Sequence, residues 1–183
     1  MTCGKIDFTC RRCRLSKGRT RVVAGTGTCR SPIVFIGEAP GREEDLKGEP
    51  FVGRAGRLLD TTLQGAGAER SRVFICNLVK CRPPGNRRPR KDEIAACSRF
   101  LESELKDVRP RVVCALGQTV ANSLLGNKKK MADLIKEDRR LTVAGVNVRF
   151  FVAYHPAACL YQRKNLSSFK RSIKASIDAS GLK

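Results

Sequence analysis

Three residues of types that bind ligands and move protons each follow directly after a short apolar run. Glu38 follows the first run, Asn77 follows the second and His155 follows the third. The runs span 33–37, 73–76 and 150–154. Taken singly, each residue is typical of an ordinary turn or loop start. Because ligands of open α/β sheets bind beyond the carboxyl ends of the strands, three such residues at one edge predict a shared site.

The nine cysteines are the second group that could do chemistry. A chain with one histidine and no export signal is predicted to lie in the cytoplasm, where metal ligation is favoured over a disulfide framework. Cys10 and Cys13 have the spacing of a two-ligand chelate. Four thiolates would suit either zinc or a [4Fe–4S] cluster, and spacing alone does not distinguish them. Cys3 competes for a ligand position, whereas Cys76 and Cys114 lie in apolar runs and are predicted core residues.

The hydrophobic pattern predicts the elements that must position these residues. Apolar runs of strand length occur at 33–37, 73–77, 111–117 and 148–154. Helical spacing of apolar residues follows at 55–66 and 94–105, a hairpin is predicted with its tip at 144–147, and a basic helix over 165–177. Since parallel strands need helical crossovers, we predict a three-layer α/β/α sandwich with a central, mostly parallel sheet of about four strands.

The net charge of the chain indicates which class of partner it binds. The 183 residues include 37 Lys+Arg and 17 Asp+Glu, a net charge of +20, so the surface should attract polyanions. Nucleic acid is the first candidate, while an anionic membrane is the rival that scattered basic residues disfavour. The length fits one domain over 1–183, in which the Cys- and Arg-rich segment 1–30 and the loop 82–91 cannot form a core by themselves. No run approaches the ~20 apolar residues of a membrane-spanning helix.

Four motifs extend the pattern along most of the chain. They are GEAPGREED at 37–45, GEPFVGRAGRLLD at 48–60, NLVKCRPPGNR at 77–87 and HPAA at 155–158. In order and spacing they closely resemble the family 4, iron–sulfur-containing uracil-DNA glycosylases, from Cys10 to about Leu160. The resemblance implies an enzyme that turns uracil out of DNA into a pocket and grips it there.

The resemblance assigns a role to three residues of that pocket. Phe51 matches the aromatic ring that stacks on the base. Asn77 matches the asparagine that reads the uracil edge, since an amide can accept from N3–H and donate to O4, a pattern that cytosine reverses. His155 matches the histidine placed against O2, where negative charge develops as the base leaves.

Further matches concern water, thymine and the backbone. Glu38 is our candidate for positioning the attacking water, because the next position, Ala39, has aspartate in another branch of the superfamily. Glu44 matches a residue that crowds the C5 side of the base, where thymine has a methyl group. Asn86 matches a family asparagine for which both a phosphate contact and a water-site role stay open.

The resemblance also implies a cofactor. Its four ligands would be Cys10, Cys13, Cys81 and Cys97, which together suit a [4Fe–4S] cluster. Such a cluster would pin segment 1–30 to the loop 82–91 and to the helix that follows it.

The remaining expectations concern DNA. Arg82, Arg87, Arg88 and Arg163 are expected to meet phosphates of single- or double-stranded uracil-containing DNA, and Leu160 is the candidate wedge that fills the gap left by the flipped base. The implied function is a monomeric, monofunctional repair glycosylase that hydrolyses the N-glycosidic bond and leaves an abasic site. The alternative is a catalytically silent iron–sulfur or zinc module that binds nucleic acid. An electron-transfer protein would not need Glu38, Asn77 and His155 at one sheet edge.

Overall fold

A six-stranded sheet lies at the centre of the protein, whose computed structural model describes residues 2–136 and 139–182. In chain order the strands are β1 Thr26–Gly27, β2 Ile33–Gly37, β3 Phe74–Asn77, β4 Val112–Leu116, β5 Arg139–Val143 and β6 Val146–Ala153. Their order across the sheet is β1-β3-β2-β4-β6-β5. The four inner strands run parallel, and β1 and β5 pair antiparallel at the two edges.

The inner strands are the four that the apolar runs predict, so the mostly parallel sheet is confirmed, although it is two strands wider than expected. The edge strands have no continuous apolar run, since β1 has only two residues and β5 alternates between half-buried and exposed positions. The predicted hairpin is present as β5–β6. Its tip is shorter than 144–147, because Val143 pairs with Val146. Ala144 and Gly145 both have positive φ, as a two-residue type I′ turn requires.

Helices cover both faces of the sheet. They are α1 Arg42–Lys47, α2 Arg54–Gly65, α3 Lys91–Val108, α4 Gln118–Leu125, α5 Met131–Lys136, α6 Pro156–Tyr161 and α7 Leu166–Ser180. Apolar residues of α2, α6 and α7 pack on one face, and those of α3, α4 and α5 on the other. The α/β/α sandwich is therefore confirmed, with α2, α3 and α7 close to the predicted bounds.

Strand β2 shows why the inner strands read as continuous apolar runs. Val34 and Ile36 belong to the apolar cluster under α3, whereas Ile33 and Phe35 belong to the cluster under α2 and α7. Successive side chains of a strand point to opposite faces, so a strand covered on both sides must be apolar at every position. The polar residue that ends such a run is thereby held at the edge of a rigid layer.

The N-terminal segment lies against α3. The backbone N–H of Gly4 donates to Asp107 Oδ2 at 2.7 Å, and that of Lys5 donates to Ser103 Oγ at 2.7 Å. Leu15 and Val22 are buried in a third apolar cluster that also contains Phe100 of α3. The segment thus shares its apolar contacts with α3, because it has too few apolar residues to enclose a core of its own.

A disulfide corrects one expectation about the cysteines. Cys3 and Cys29 are bonded to each other, with 5.6 Å between their Cα atoms. Cys3 is therefore not a competing metal ligand, and the preference for metal ligation over disulfide formation is wrong for this pair. Cys76 and Cys114 are free and fully buried in strands, as predicted. None of the described helices combines the length and the apolar character needed to cross a bilayer.

Candidate active site

A pocket of about 320 Å³ opens beyond the carboxyl ends of the inner strands. Glu38 follows β2, Asn77 ends β3 and His155 follows β6, and all three line this pocket. The geometry therefore brings together the three polar residues that the apolar runs single out. Further sequence-predicted residues line the same pocket, namely Ala39, Glu44, Phe51, Asn86 and Arg87.

Asn77 supplies a buried acceptor that has no partner. The residue is 2% exposed, and its Oδ1 atom makes no hydrogen bond within the described part of the chain. Leaving a buried polar atom unpaired costs about 1–3 kcal/mol, so such an atom needs an explanation. A ligand that donates a hydrogen bond to Oδ1 would supply the missing partner.

Gly37 lets two side chains close the floor of the pocket. A Cβ atom at this position would lie 2.3 Å from Asn77 Oδ1 and 2.5 Å from Phe51 Cζ. Any other residue would have to push one or both of these groups away. The absence of a side chain at the end of β2 is therefore what allows the amide and the aromatic ring to lie side by side.

Phe51 is held in an unusual conformation by its loop. Its φ angle is 54°, in the left-handed region that costs an L-residue roughly 1–2 kcal/mol. Gly56 of α2 permits this course, because a Cβ there would lie 1.8 Å from the Phe51 carbonyl oxygen. The Phe51 and His155 rings are 5.7 Å apart between centroids and inclined by 33°. Strain of this kind is typical of functional loops, and here it places a flat apolar face in the pocket.

His155 is neutral, with a defined tautomer. Its Nδ1 atom accepts a hydrogen bond from the backbone N–H of Ala157 in α6 at 3.2 Å, so the ring proton is on Nε2. Desolvation lowers the pKa of His155 to about 4, although the Glu44 carboxylate opposes the shift. The ring is half-buried and partly open to the pocket. At neutral pH it therefore presents an N–H donor without a positive charge, a known arrangement for polarising a carbonyl oxygen.

Glu44 braces the loop that carries Phe51. Its Oε1 atom accepts from the backbone N–H groups of Val52 and Gly53 at 3.0 Å each, and its Oε2 atom accepts from Gly41 at 3.1 Å. The carboxylate thus caps α1 and ties it to the loop before α2. This role is not predicted from the sequence, although a Glu three positions after the N-cap residue, here Gly41, is a known capping signal.

A buried ion pair lies beneath the pocket and has no counterpart in the sequence analysis. Lys80 Nζ is 2.5 Å from Glu104 Oε2, and the two side chains are at most 1% exposed. Lys80 Nζ also donates to the backbone carbonyl of Asn77 at 2.8 Å, and Glu104 Oε1 accepts from Gly25 N at 2.7 Å. The pair therefore ties Asn77 to α3 and to the N-terminal segment. The available signal is a glutamate within the buried stripe of α3.

Residues 24–176 match the family described as the Uracil DNA glycosylase superfamily. This chain belongs to that superfamily. It is 39% identical to a type-4 uracil-DNA glycosylase of Archaeoglobus fulgidus, with 91% of this chain and 86% of the relative covered. It is 40% identical to the type-4 enzyme of Saccharolobus solfataricus (93% and 82% covered) and 42% identical to that of Thermotoga maritima (85% and 80%). The family resemblance inferred from the motifs is confirmed.

In this superfamily member the four predicted cluster ligands line one small pocket beside the N-terminal segment. Cys10 and Cys13 are half-buried, and Cys81 and Cys97 are buried. Burial raises the pKa of Cys97 to about 11. A bound metal would have to lower this pKa to obtain the thiolate that it ligates. In residues 2–136 and 139–182, no three His, Cys, Asp or Glu side chains form a site for a single metal ion.

The donors around the four thiols suit an iron–sulfur cluster. Arg19 Nη1 donates to Cys81 Sγ at 3.4 Å, and the backbone N–H of Lys80 donates to Cys97 Sγ at 3.2 Å. Both contacts favour the thiolate form and are of the kind that tunes clusters. Phe100, Leu15 and Val79 supply an apolar wall. The residues present therefore fit the [4Fe–4S] cluster that the motif resemblance implies.

The predicted DNA contacts of this superfamily member divide into exposed and paired groups. Arg88, Arg163 and Leu160 are exposed and do not line the pocket, and Tyr161 beside Leu160 is 85% exposed. Arg87 instead forms two hydrogen bonds with the buried Glu93, at 2.9 and 2.6 Å. This contact is the main cause that lowers the pKa of Glu93 to about 2.

Asn86 and Arg82 form a pair at the rim of the same pocket. Arg82 Nε donates to Asn86 Oδ1 at 2.8 Å, and Asn86 has a positive φ of 55° after Gly85. Glu38 has no side-chain hydrogen bond among the described residues, and its backbone oxygen accepts from Val79 N at 3.4 Å. Its carboxylate is thus available to a water molecule or to the ligand.

Proposed function

We propose that this chain excises uracil from DNA by hydrolysing its N-glycosidic bond and leaves an abasic site without cutting the strand. It is a uracil-DNA glycosylase, a DNA-repair hydrolase acting on N-glycosyl bonds. The observation that carries the proposal is the unpartnered Oδ1 atom of Asn77, which lies in one pocket with the Phe51 and His155 rings. A flipped pyrimidine would meet an acceptor, an apolar face and an N–H donor together.

Base recognition rests on Asn77 and Phe51. Uracil presents a donor at N3 and an acceptor at O4, which match the Oδ1 and Nδ2 atoms of one amide. Cytosine presents the reverse pattern, so an amide that cannot rotate rejects it. The Asn77 side chain is only 2% exposed, and this burial restricts that rotation.

Leaving-group stabilisation rests on His155. The uracil anion gains negative charge at O2 as the glycosidic bond breaks, and an Nε2–H donor directed there stabilises the transition state more than the ground state. Because the ring is already neutral and held by Ala157, its orientation does not have to be established during the reaction. Glu38 positions the water that attacks the cationic sugar. The Glu44 carboxylate lines the C5 side of the base and braces the Phe51 loop.

DNA binding rests on the loop before α3 and on the segment that follows His155. Arg82, Arg88 and Arg163 meet phosphates, Asn86 is oriented by Arg82, and Leu160 enters the gap left by the flipped base. Arg87 contributes by lining the pocket and not by binding a phosphate, because Glu93 already accepts two of its N–H groups. With about five phosphates contacted, log affinity should fall with log salt at a slope of about −4.5 on duplex DNA. The enzyme acts as a monomer in the cytoplasm.

Cys10, Cys13, Cys81 and Cys97 would hold a [4Fe–4S] cluster. When bound, it supplies four iron–thiolate bonds that tie the N-terminal segment to the loop before α3 and take no part in the hydrolysis. The purified protein should then absorb near about 400 nm, and Cys13→Ser should lose this band together with thermal stability. Cys159→Ser, which changes a buried thiol outside this pocket, is the control. A protein that retains zinc and has no visible band would refute the iron–sulfur assignment.

One assay tests the activity. The protein is incubated with a uracil-containing oligonucleotide, abasic sites are cleaved with alkali, and products are compared for the unmodified chain, Asn77→Ala and His155→Ala. We expect scission by the unmodified chain and about a 10²–10³-fold lower rate for each variant. No scission by the unmodified chain would favour the catalytically silent binding module instead.

A further inference from the structure

We infer that the opposite edge of the sheet is a second binding surface for the phosphate backbone of DNA. Six arginines line two adjoining depressions there, and we refer to them as the arginine edge. They are Arg30, Arg72, Arg109, Arg111, Arg140 and Arg149. The choice of DNA as the ligand rests on the proposed function, whereas the surface itself does not.

The arginine edge lies at the amino ends of the strands. Arg72 precedes β3 and Arg111 precedes β4, whereas the uracil pocket lies beyond the carboxyl ends of the same strands. Arg111 lines both depressions, which have volumes of about 610 and 700 Å³ and therefore adjoin each other. Strands of five residues at ~3.3 Å per residue separate the two edges by about 17 Å of sheet. A short duplex is too stiff to bend around that distance, so a single one cannot occupy both edges.

Most of the arginine edge has no carboxylate partner among the described residues, as four of its six members show. Neither depression is lined by an aspartate or a glutamate. Arg30, Arg72 and Arg111 are exposed and form no ion pair with a described carboxylate. Arg109 is exposed as well, and its Nε atom donates to the carbonyl of Lys106 at 3.3 Å. Glu69 lies nearby, where its Oε2 atom accepts from the Ser71 hydroxyl at 3.3 Å.

The uracil pocket differs from the arginine edge in the sign of the charged residues that line it. It contains two carboxylates, Glu38 and Glu44, and its single arginine, Arg87, is paired with Glu93. Catalysis on one base therefore does not account for the arginine edge. Exposed guanidinium groups spaced along a surface suit successive phosphates, because each can replace condensed counterions. Through this surface the enzyme holds a second DNA segment while the pocket inspects the first.

The number of duplexes bound per chain tests the inference. A uracil-free duplex of about 12 base pairs, roughly 40 Å long, is added in excess at about 50 mM salt, and the complexes are sized by sedimentation velocity. We expect two duplexes per unmodified chain. The triple variant R72Q/R109Q/R111Q should bind one, with the second association constant reduced about tenfold or more.

A matched control removes the same charge elsewhere. Arg57, Arg99 and Lys170 are exposed on α2, α3 and α7, and R57Q/R99Q/K170Q lowers the net charge by the same amount without touching the arginine edge. This control should still bind two duplexes. One duplex per unmodified chain, or equal losses in the two triple variants, would overturn the inference.

Uracil excision on a short single-stranded oligonucleotide is measured on the same proteins. Equal rates for all three would agree with two separate surfaces, while a loss confined to R72Q/R109Q/R111Q would contradict their separation. Absence of excision in all three would refute the proposed function and leave the stoichiometry as an independent result.

Discussion

The two edges of one sheet use polar residues in opposite ways. At the carboxyl edge, Asn77, Glu44 and His155 are buried or half-buried. The Glu44 and His155 side chains accept backbone hydrogen bonds, and the Asn77 backbone carbonyl accepts from Lys80. At the amino edge, the arginines are mostly exposed and make few contacts. Reading one base requires atoms held in place, whereas contacting phosphates requires only charge at a suitable spacing. Substitutions should therefore be costly at the first edge and nearly silent for catalysis at the second.

Gly37→Ala should produce the largest effect on activity. The new Cβ would overlap Asn77 Oδ1 and the Phe51 ring, so we expect kcat/KM for uracil excision to fall about 10²–10³-fold. Gly65→Ala is the control, because a Cβ at the end of α2 meets nothing within 4 Å. Unchanged excision by Gly37→Ala would mean that the pocket floor tolerates movement.

Lys80→Ala should produce the largest effect on stability. It leaves Glu104 buried without its cationic partner, which costs about 3–5 kcal/mol of unfolding free energy in chemical denaturation. The double variant Lys80→Met with Glu104→Leu should recover most of that stability. It should still show about tenfold lower kcat, because the Asn77 carbonyl has lost its donor. Full activity in the double variant would reduce the pair to a structural role.

Acid should lower the unfolding free energy through protonation of His155 at the carboxyl edge. Its pKa is about 4 in the folded chain and about 6.5 in the unfolded chain, so the unfolded state binds more protons between these values. The contribution of His155 to the unfolding free energy is fully present above pH 6.5. It falls as the pH decreases towards 4, by about 2 kcal/mol after allowing for the open side of the ring. His155→Asn should lack this part of the slope in denaturation curves recorded from pH 7 to 4. An identical slope in that variant would place the titration elsewhere.

Glu44→Ala separates two roles of one carboxylate. Loss of three backbone hydrogen bonds should lower the unfolding free energy by about 1–3 kcal/mol and slow uracil excision by loosening the Phe51 loop. Because the carboxylate also lines the C5 side of the base, we expect thymine excision to become detectable in this variant. Normal uracil excision with new activity on thymine would assign the carboxylate to the C5 side alone.

The triple variant of the arginine edge should have the smallest effect on chemistry. On a short single-stranded substrate, kcat for R72Q/R109Q/R111Q should stay within about twofold of the unmodified chain, since these exposed groups lie about 17 Å of sheet away from the pocket. A fall beyond tenfold would remove the contrast between the two edges.

Different signals made different parts of the protein predictable. The inner strands are predictable because burial on both faces requires apolar residues throughout, and the pocket residues because they end those strands. Strands β1 and β5 are not, since edge strands are short or half-exposed and lack a continuous apolar run. The Cys3–Cys29 pair is missed because partners 26 residues apart give no local pattern.

The amino-acid sequence by itself determined the α/β order of the elements, the net charge and the motifs that identify the superfamily, because these depend on residue types and their spacing along the chain. Only the tertiary structure decided the tautomer of His155, the brace formed by Glu44, the Lys80–Glu104 pair and the gathering of six arginines at one edge. The ion pair and the arginine edge join residues far apart in the chain, which only the packing of the layers brings together, whereas the His155 and Glu44 contacts depend on the backbone conformation of their loops, which residue types and spacing alone do not specify.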